Sequence, residues 1–234
     1  MPGFLLHLAG PMQSWADTGF GQLREAGLFP SRAGVLGILA AAIGIPRADA
    51  RLVDLHDTFR VHVATAREGE VRRDFHTVET VPSKAPTLTR RAYHHDAHFV
   101  ALVESDDERA AEAAIGALHD PVFGTFLGRR SCPPAVPLLP LPMGDSPFSS
   151  LIAAAASARE HLPRIEEERR PRGHRSRGRR PIPVYLDGHY DPLPVSLTGT
   201  PHAVSYGTRR DRLVAPRRAY TDRPYTSALI DVPE

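Results

Sequence analysis

The chain has 234 residues, a formal net charge of +2 and one cysteine, Cys132. That length buries a full hydrophobic core, and a single thiol excludes an internal disulfide or a cysteine-based zinc cluster. Lys84 is the only lysine, so nearly every positive charge is a guanidinium, the group that grips phosphate and carboxylate bidentately.

Met1 to His7 lacks a basic n-region and is too short for a signal peptide. No window approaches the roughly 18 apolar residues of a membrane-spanning helix. A soluble, cytoplasmic protein with no membrane partner is expected.

Phe4 to Ala9 reads as a short apolar strand closed by Gly10-Pro11. A polar stretch with Gln13, Trp15 and Arg24 follows. Ser31 then caps a helix whose apolar surface is Val35, Leu36, Ile38, Leu39, Ala42 and Ile43, with Gly44 as its C′ residue. Gly34 and Gly37 weaken such a helix by about 1 kcal/mol each, so both are expected at close backbone approaches. Phe59, Val61 and Val63 alternate with Arg60, His62 and Ala64, the period of a half-buried strand. Residues 66–95 are polar and basic without helical period, and His98 to Val103 is a nearly continuous apolar strand. Ser105-Asp106-Asp107-Glu108 forms a capping box for a helix with Ala111, Ala114, Ile115 and Leu118 as its buried stripe. Pro133 to Pro142 is an extended strand or linker.

This order is the split βαβ pattern of an α+β, ferredoxin-like fold, with both helices on one face of the sheet and the other face free. Past residue 145 the texture changes. Phe148 to His161 is an alanine-rich helix, residues 169–180 form a loop with seven arginines and no acid, and short strands lie near Ile182–Leu186 and Ala203–Tyr206. A basic stretch from Arg209 to Arg218 follows. The expected division is a domain at 1–144 carrying an excursion at about 66–97, and a small β-rich unit at 145–234.

Three stretches carry chemistry. In Phe126-Leu127-Gly128-Arg129-Arg130-Ser131-Cys132-Pro133, a glycine leaves backbone N–H groups open beside two guanidinium forks, and proline prevents a helix. That is an anion cradle without a general base, or else an ordinary glycine turn into a proline-rich edge. Ser31 and Arg32, with the free N–H groups of a helix start, make a second candidate cradle, set against a purely structural cap. In the excursion, Arg72, Arg73, Lys84, Arg90 and Arg91 face two acids, Asp74 and Glu79, with His76, Tyr93, His94 and His95 interleaved. Such a composition suits an RNA backbone with unstacked bases, or a solvated hairpin.

A metal-independent ribonuclease is the main alternative, with His76, Tyr93, His94 or His95 and Lys84 as acid, base and cation. No HExxH, phosphate loop or metal-type carboxylate pair is present, so no metal and no cofactor is expected. A binding protein is favoured over a nuclease, and over a scaffold for acidic protein surfaces.

Several blocks point further: Gly10-Pro11-Met12-Gln13-Ser14-Trp15, Phe29 to Gly37, Leu39 to Ile45, Asp74-Phe75-His76-Thr77-Val78, Arg91 to Phe99, and Phe126 to Pro133. In this order, across residues 4–134, they resemble the CasD family of type I-E CRISPR Cascade subunits, in the RAMP superfamily. Past 145 the likeness thins to Thr208-Arg209-Arg210-Asp211 and Pro216-Arg217-Arg218.

The resemblance implies a ferredoxin-like (RAMP/RRM-like) domain, a β-hairpin thumb at about 66–97 and a small C-terminal unit. It implies a non-catalytic subunit in antiviral defence that binds the 5′ handle of CRISPR RNA and caps the foot of the complex. Contacts with the large subunit and the backbone subunits follow from it, and target DNA is met indirectly, where the thumb crosses the guide. Relatives in another subtype cleave precursor RNA. Carried over residue by residue, Gly128, Arg129, Arg130 and Ser131 match the handle loop. Pro30, Ser31, Arg32 and Gly34 match a helix start facing the same RNA. His76, Arg91 and Tyr93 fall on the thumb, where Lys84 and Arg90 complete the RNA-binding set.

Overall fold

A computed structural model describes residues 2–15, 23–79, 86–161, 180–197, 199–215 and 219–232. In chain order the elements are β1 (Gly3–Ala9), β2 (Met12–Gln13), β3 (Leu23–Arg24), α1 (Arg32–Ile43), α2 (Arg51–Thr58), β4 (Phe59–Arg67), β5 (Glu70–Val78), β6 (Thr87–His95), β7 (His98–Ser105), α3 (Glu108–His119), β8 (Leu141–Pro142), α4 (Pro147–His161), β9 (Ile182–Asp187), β10 (Thr200–Ala215) and β11 (Ala219–Asp231). The described residues form a mixed α/β protein with four helices, one large antiparallel sheet and a smaller sheet.

The large sheet has the order β10-β11-β9-β4-β7-β1-β8. Its central strands are apolar on both sides. Phe4, Leu6 and Leu8, Phe59, Val61 and Val63, and Phe99, Ala101 and Val103 share one core with α1 and α3. Leu5, Ala64, Ala66, Val100 and Leu102 face the other way and pack with Leu151, Ile152 and Ala155 of α4 and with β9. The second face, expected free, is therefore covered. Burial of Leu151 and Ile152 contributes about 1.5–3 kcal/mol each. β4 is correspondingly buried on both faces rather than half-buried. The signal for this lay in β7, whose unbroken apolar run is what a strand covered on both faces shows.

Helix α1 starts where Ser31 Oγ accepts from the Gly34 N–H at 3.2 Å, and it stops at Gly44, which turns left-handed at φ 83°. A Cβ on Gly34 would sit 2.9 Å from the Trp15 ring, so this glycine does serve a close approach. Gly37 has open space around it and does not. Helix α3 is capped two residues later than the predicted box: Asp107 accepts from the N–H groups of Arg109 and Ala110, and Ser105 Oγ accepts from Asp107 N–H. Helix α2 had no sequence signal, being eight residues long with no side-chain cap.

Residues past 145 continue the large sheet, because β9 pairs with β4 at Tyr185↔Val63 and Val184↔Ala64. The short strand predicted near Ala203–Tyr206 is part of a 16-residue strand in the β10–β11 hairpin. The arginine stretch at 169–180 lies outside the described residues except for Arg180, and Lys84 also lies outside them.

Candidate nucleic-acid interface

Strands β5 and β6 pair from Glu70↔His95 to Val78↔Thr87, forming the expected hairpin. Directly opposed residues of an antiparallel pair share a face. One face therefore carries Arg72, Asp74 and His76 with Thr89, Arg91 and Tyr93. The other carries Val71, Arg73 and Phe75 with Leu88 and Arg90. Arg90 and Arg91, adjacent in sequence, thus point to opposite sides.

The glycine loop meets the first of these faces. Leu127 and Cys132 are fully buried and close the loop on itself, with Leu127 N–H donating to Cys132 O and Cys132 N–H to Arg129 O, both at 2.8 Å. Gly128 adopts φ +83°, and any Cβ there would overlap the Ser14 carbonyl, so no other residue fits this turn unstrained. Ser14 in turn donates its N–H to Leu127 O at 3.0 Å. Among the described residues nothing accepts from the N–H groups of Arg129, Arg130 and Ser131, and the side chains of Arg130 and Ser131 are exposed.

Arg129 is half-buried. Its Nη1 donates to Tyr93 Oη at 2.7 Å, and its guanidinium carbon lies 5.8 Å from the ring centroid. Tyr93 Oη is 3.4 Å from His76 Nε2, which is 2.9 Å from Asp74 Oδ2. Loop and thumb thus meet through one line of polar groups. Burial pushes the Tyr93 phenol above its ordinary value, with nearby Cys132 adding to the effect and a Ser131 hydrogen bond opposing it. Burial likewise raises the Cys132 thiol, which leaves an inert core residue rather than a nucleophile.

A buttress stands behind the loop. Gln13, fully buried, donates from Nε2 to Leu8 O at 2.9 Å and Ala97 O at 2.7 Å, while its Oε1 accepts from Trp15 Nε1 at 2.8 Å. The Gln-Ser-Trp block is therefore scaffold, holding the surface that presents the loop.

The start of α1 departs from expectation. Arg32 is 6% exposed. Its Nε donates to Asp187 Oδ2 at 3.0 Å and its Nη2 to the carbonyls of Phe59, at 2.7 Å, and His56. Asp187 also accepts from Arg223 and from Val61 N–H. This cradle is filled from within by Asp187, which no local sequence signal marked. Ser31 serves as the helix cap, and Gly34 lies under Trp15. Ser31 and Arg32 are thus buried scaffold, and Gly34 is half-buried.

His94 of the ribonuclease reading is a core residue. Its Nε2 donates to Gly27 O at 2.7 Å, it packs edge-on to Phe99, and burial holds its pKa down. What remains on the loop side is Gly128, Arg129, Arg130 and Ser131 with His76, Arg91 and Tyr93. Arg72, opposite Tyr93 in register, joins them, although an exposed Glu70 carboxylate already meets it at 2.7 Å.

The family described as CRISPR-associated protein (Cas_Cas5) matches residues 3–191. Over 159 residues, 57% of this chain and 68% of the relative, the sequence is 36% identical to the CRISPR system Cascade subunit CasD of Escherichia coli (strain K12). A chain from a solved CRISPR RNA-guided surveillance complex superposes with a TM-score of 0.67 at 24% identity, covering 99% of this chain and 91% of that one, and so shares the fold. A crystal structure of a Cas protein superposes with a TM-score of 0.63 at 25% identity, covering 100% and 98%.

Proposed function

The chain belongs to the Cas5 family of CRISPR-associated proteins, and on that premise we propose that it is a non-catalytic RNA-holding subunit of a Cascade-type surveillance complex in antiviral defence. Its ligand is the 5′ handle of the CRISPR RNA. The observation that carries this reading is the closed 127–132 turn, which leaves the N–H groups of Arg129, Arg130 and Ser131 without an acceptor among the described residues and the Arg130 side chain exposed beside them. Such a surface binds phosphate oxygens and positions a strand without reading its sequence. Arg91 and Arg129 extend it along the thumb, whereas Tyr93, expected on this surface, is 5% exposed, lies in the core and supports Arg129 through its hydroxyl.

The β4-β7-β1-β8 order, with α1 and α3 on one face, supports reading 1–144 as a ferredoxin-like domain with its thumb at 66–97, extended by the 145–234 unit. Capping of the complex's foot and contact with the large and backbone subunits belong to the same proposal, as does a cytoplasmic location. Among the described residues no helix is long and apolar enough to cross a membrane.

The test is a titration of labelled repeat-derived RNA at several salt concentrations. Replacing both Arg129 and Arg130 with alanine should weaken binding and flatten the salt dependence by about 0.7 in the log–log slope per arginine. Unchanged affinity and slope would end this assignment of the site.

A second reading has one observation in its favour. Asp74 orients His76 beside Tyr93 and Arg129, a carboxylate–imidazole pair next to a guanidinium. Incubation of the chain with repeat RNA in EDTA separates the two: intact RNA supports the holding role, and a cut at one bond that His76→Ala abolishes supports a ribonuclease.

A further inference from the structure

A cleft of about 290 Å³ opens between the segment leading into α1 and the β10–β11 hairpin. Leu28, Phe29, Thr208, Arg209, Arg210, Asp222 and Tyr225 line it. That volume is at the small end for ligand pockets, the size of one ring system rather than a drug-sized molecule.

Aromatic rings form its walls. The Phe29 ring is stacked on Tyr185 with centroids 3.5 Å apart, and the buried Arg209 guanidinium lies over the Phe29 ring at 4.7 Å. Tyr225 lies edge-on to Phe29 at 5.7 Å. The Tyr225 ring also crosses over Gly207, its register partner, where a Cβ would come within 2.7 Å of the ring. A side chain at 207 would therefore push the wall out of place. Leu28, 76% exposed, forms an apolar lip with no packing role of its own.

Two polar side chains at the rim, Asp222 and Arg210, keep unused bonding capacity. Among the described residues no donor or cation meets the Asp222 carboxylate. Arg210 donates only Nε, to Tyr220 O at 3.1 Å, which leaves its terminal nitrogens free. An acceptor-only carboxylate beside a guanidinium, on aromatic and apolar walls, matches a flat heterocycle with both donors and acceptors on its edge. Guanine is the RNA base that offers one carboxylate two adjacent donors, N1–H and the N2 amino group, and its O6 and N7 are acceptors that suit a guanidinium.

We infer that this cleft holds one unstacked guanine base, with Asp222 on its Watson–Crick donors, Arg210 on an acceptor edge or adjoining phosphate, and Leu28, Phe29 and Tyr225 as its walls. The cleft shares no lining residue with the loop. Only RNA as the source of the base rests on the function proposed above, since a free guanine nucleotide offers the same chemistry.

Saturation-transfer NMR on the full chain with GMP, AMP, CMP and UMP tests this. GMP should bind saturably and about tenfold more tightly than UMP. Asp222→Asn, an exposed hairpin change that should leave the thermal melt unmoved, should cost about tenfold for GMP and little for UMP. No saturable GMP binding, or equal GMP binding by Asp222→Asn and the parent chain, overturns the inference. A short oligoribonucleotide with one guanine in an otherwise all-uracil sequence separates the sources: displacement of GMP assigns the base to RNA, and lack of displacement assigns the cleft to the free nucleotide. The double Arg129/Arg130 alanine variant should keep GMP binding, so failure of the loop assignment and failure of the cleft register in different measurements.

Discussion

The start of α1 and the 127–132 loop look alike in sequence, each a small residue and an arginine beside open backbone N–H groups, yet they have opposite fates. At α1 the guanidinium turns inward, and Asp187, two carbonyls and His56 take up its donors. At the loop, Leu127 and Cys132 carry the burial while Arg130 and Ser131 stay outside. An arginine at a helix start is a phosphate ligand only where no internal acid reaches it first. Burial, not residue type, separates scaffold from surface here.

The largest effect of a single substitution should come from removing the internal acid. Asp187→Ala takes away the buried carboxylate that Arg32 and Arg223 share. Breaking a buried pair in this way costs about 3–5 kcal/mol. Urea unfolding should register that loss, while RNA affinity per folded molecule stays within twofold. An equal loss of RNA affinity would show that the α1 region contacts the ligand after all.

A pair of glycine substitutions sharpens the contrast. Gly128→Ala forces a side chain into a left-handed turn against the Ser14 carbonyl, at about 1–3 kcal/mol, and should displace the loop, so that stability and RNA binding fall together. Gly34→Ala gains about 1 kcal/mol of helix propensity but crowds the Trp15 ring, at about 1–3 kcal/mol. Stability should therefore change modestly and RNA binding not at all. Binding loss in Gly34→Ala would break the division between the regions.

The most gradual effect is one of pH, spread over two histidines. Burial, with Arg32 nearby, lowers His56 to about 4, and burial, with His7 and Arg67, lowers His98 to about 4. Below the ordinary histidine value the unfolded chain binds protons that the folded chain refuses. The folded state is then at its full advantage above about pH 6.5 and loses it as pH falls toward 4, by up to about 1.4 kcal/mol per pH unit for each histidine. Urea midpoints measured between pH 7 and 4 should decline accordingly. A flat profile would mean that these imidazoles are not held neutral in the core.

Much of this was legible beforehand, for identifiable reasons. The Ser31 cap, the Gly44 stop, the thumb hairpin and the glycine loop all rest on local rules that neighbours in the chain satisfy by themselves. Arg32, Gly37 and His94 were misread because what they touch is distant in sequence: Asp187 for Arg32, empty space for Gly37, and Gly27 and Phe99 for His94. The covered second face could have been inferred from β7 alone, since an unbroken apolar strand needs partners on both sides.

The residue order by itself determined where α1 begins and ends, that the 127–132 turn must open at a glycine, and that the thumb alternates cations with rings. Tertiary structure alone decided which guanidinium is neutralised inside and which faces solvent. It also brought Phe29, Arg209, Asp222 and Tyr225 around one cleft. The reason is physical: backbone preferences act within a few residues, whereas desolvation and charge pairing depend on whatever the fold carries alongside.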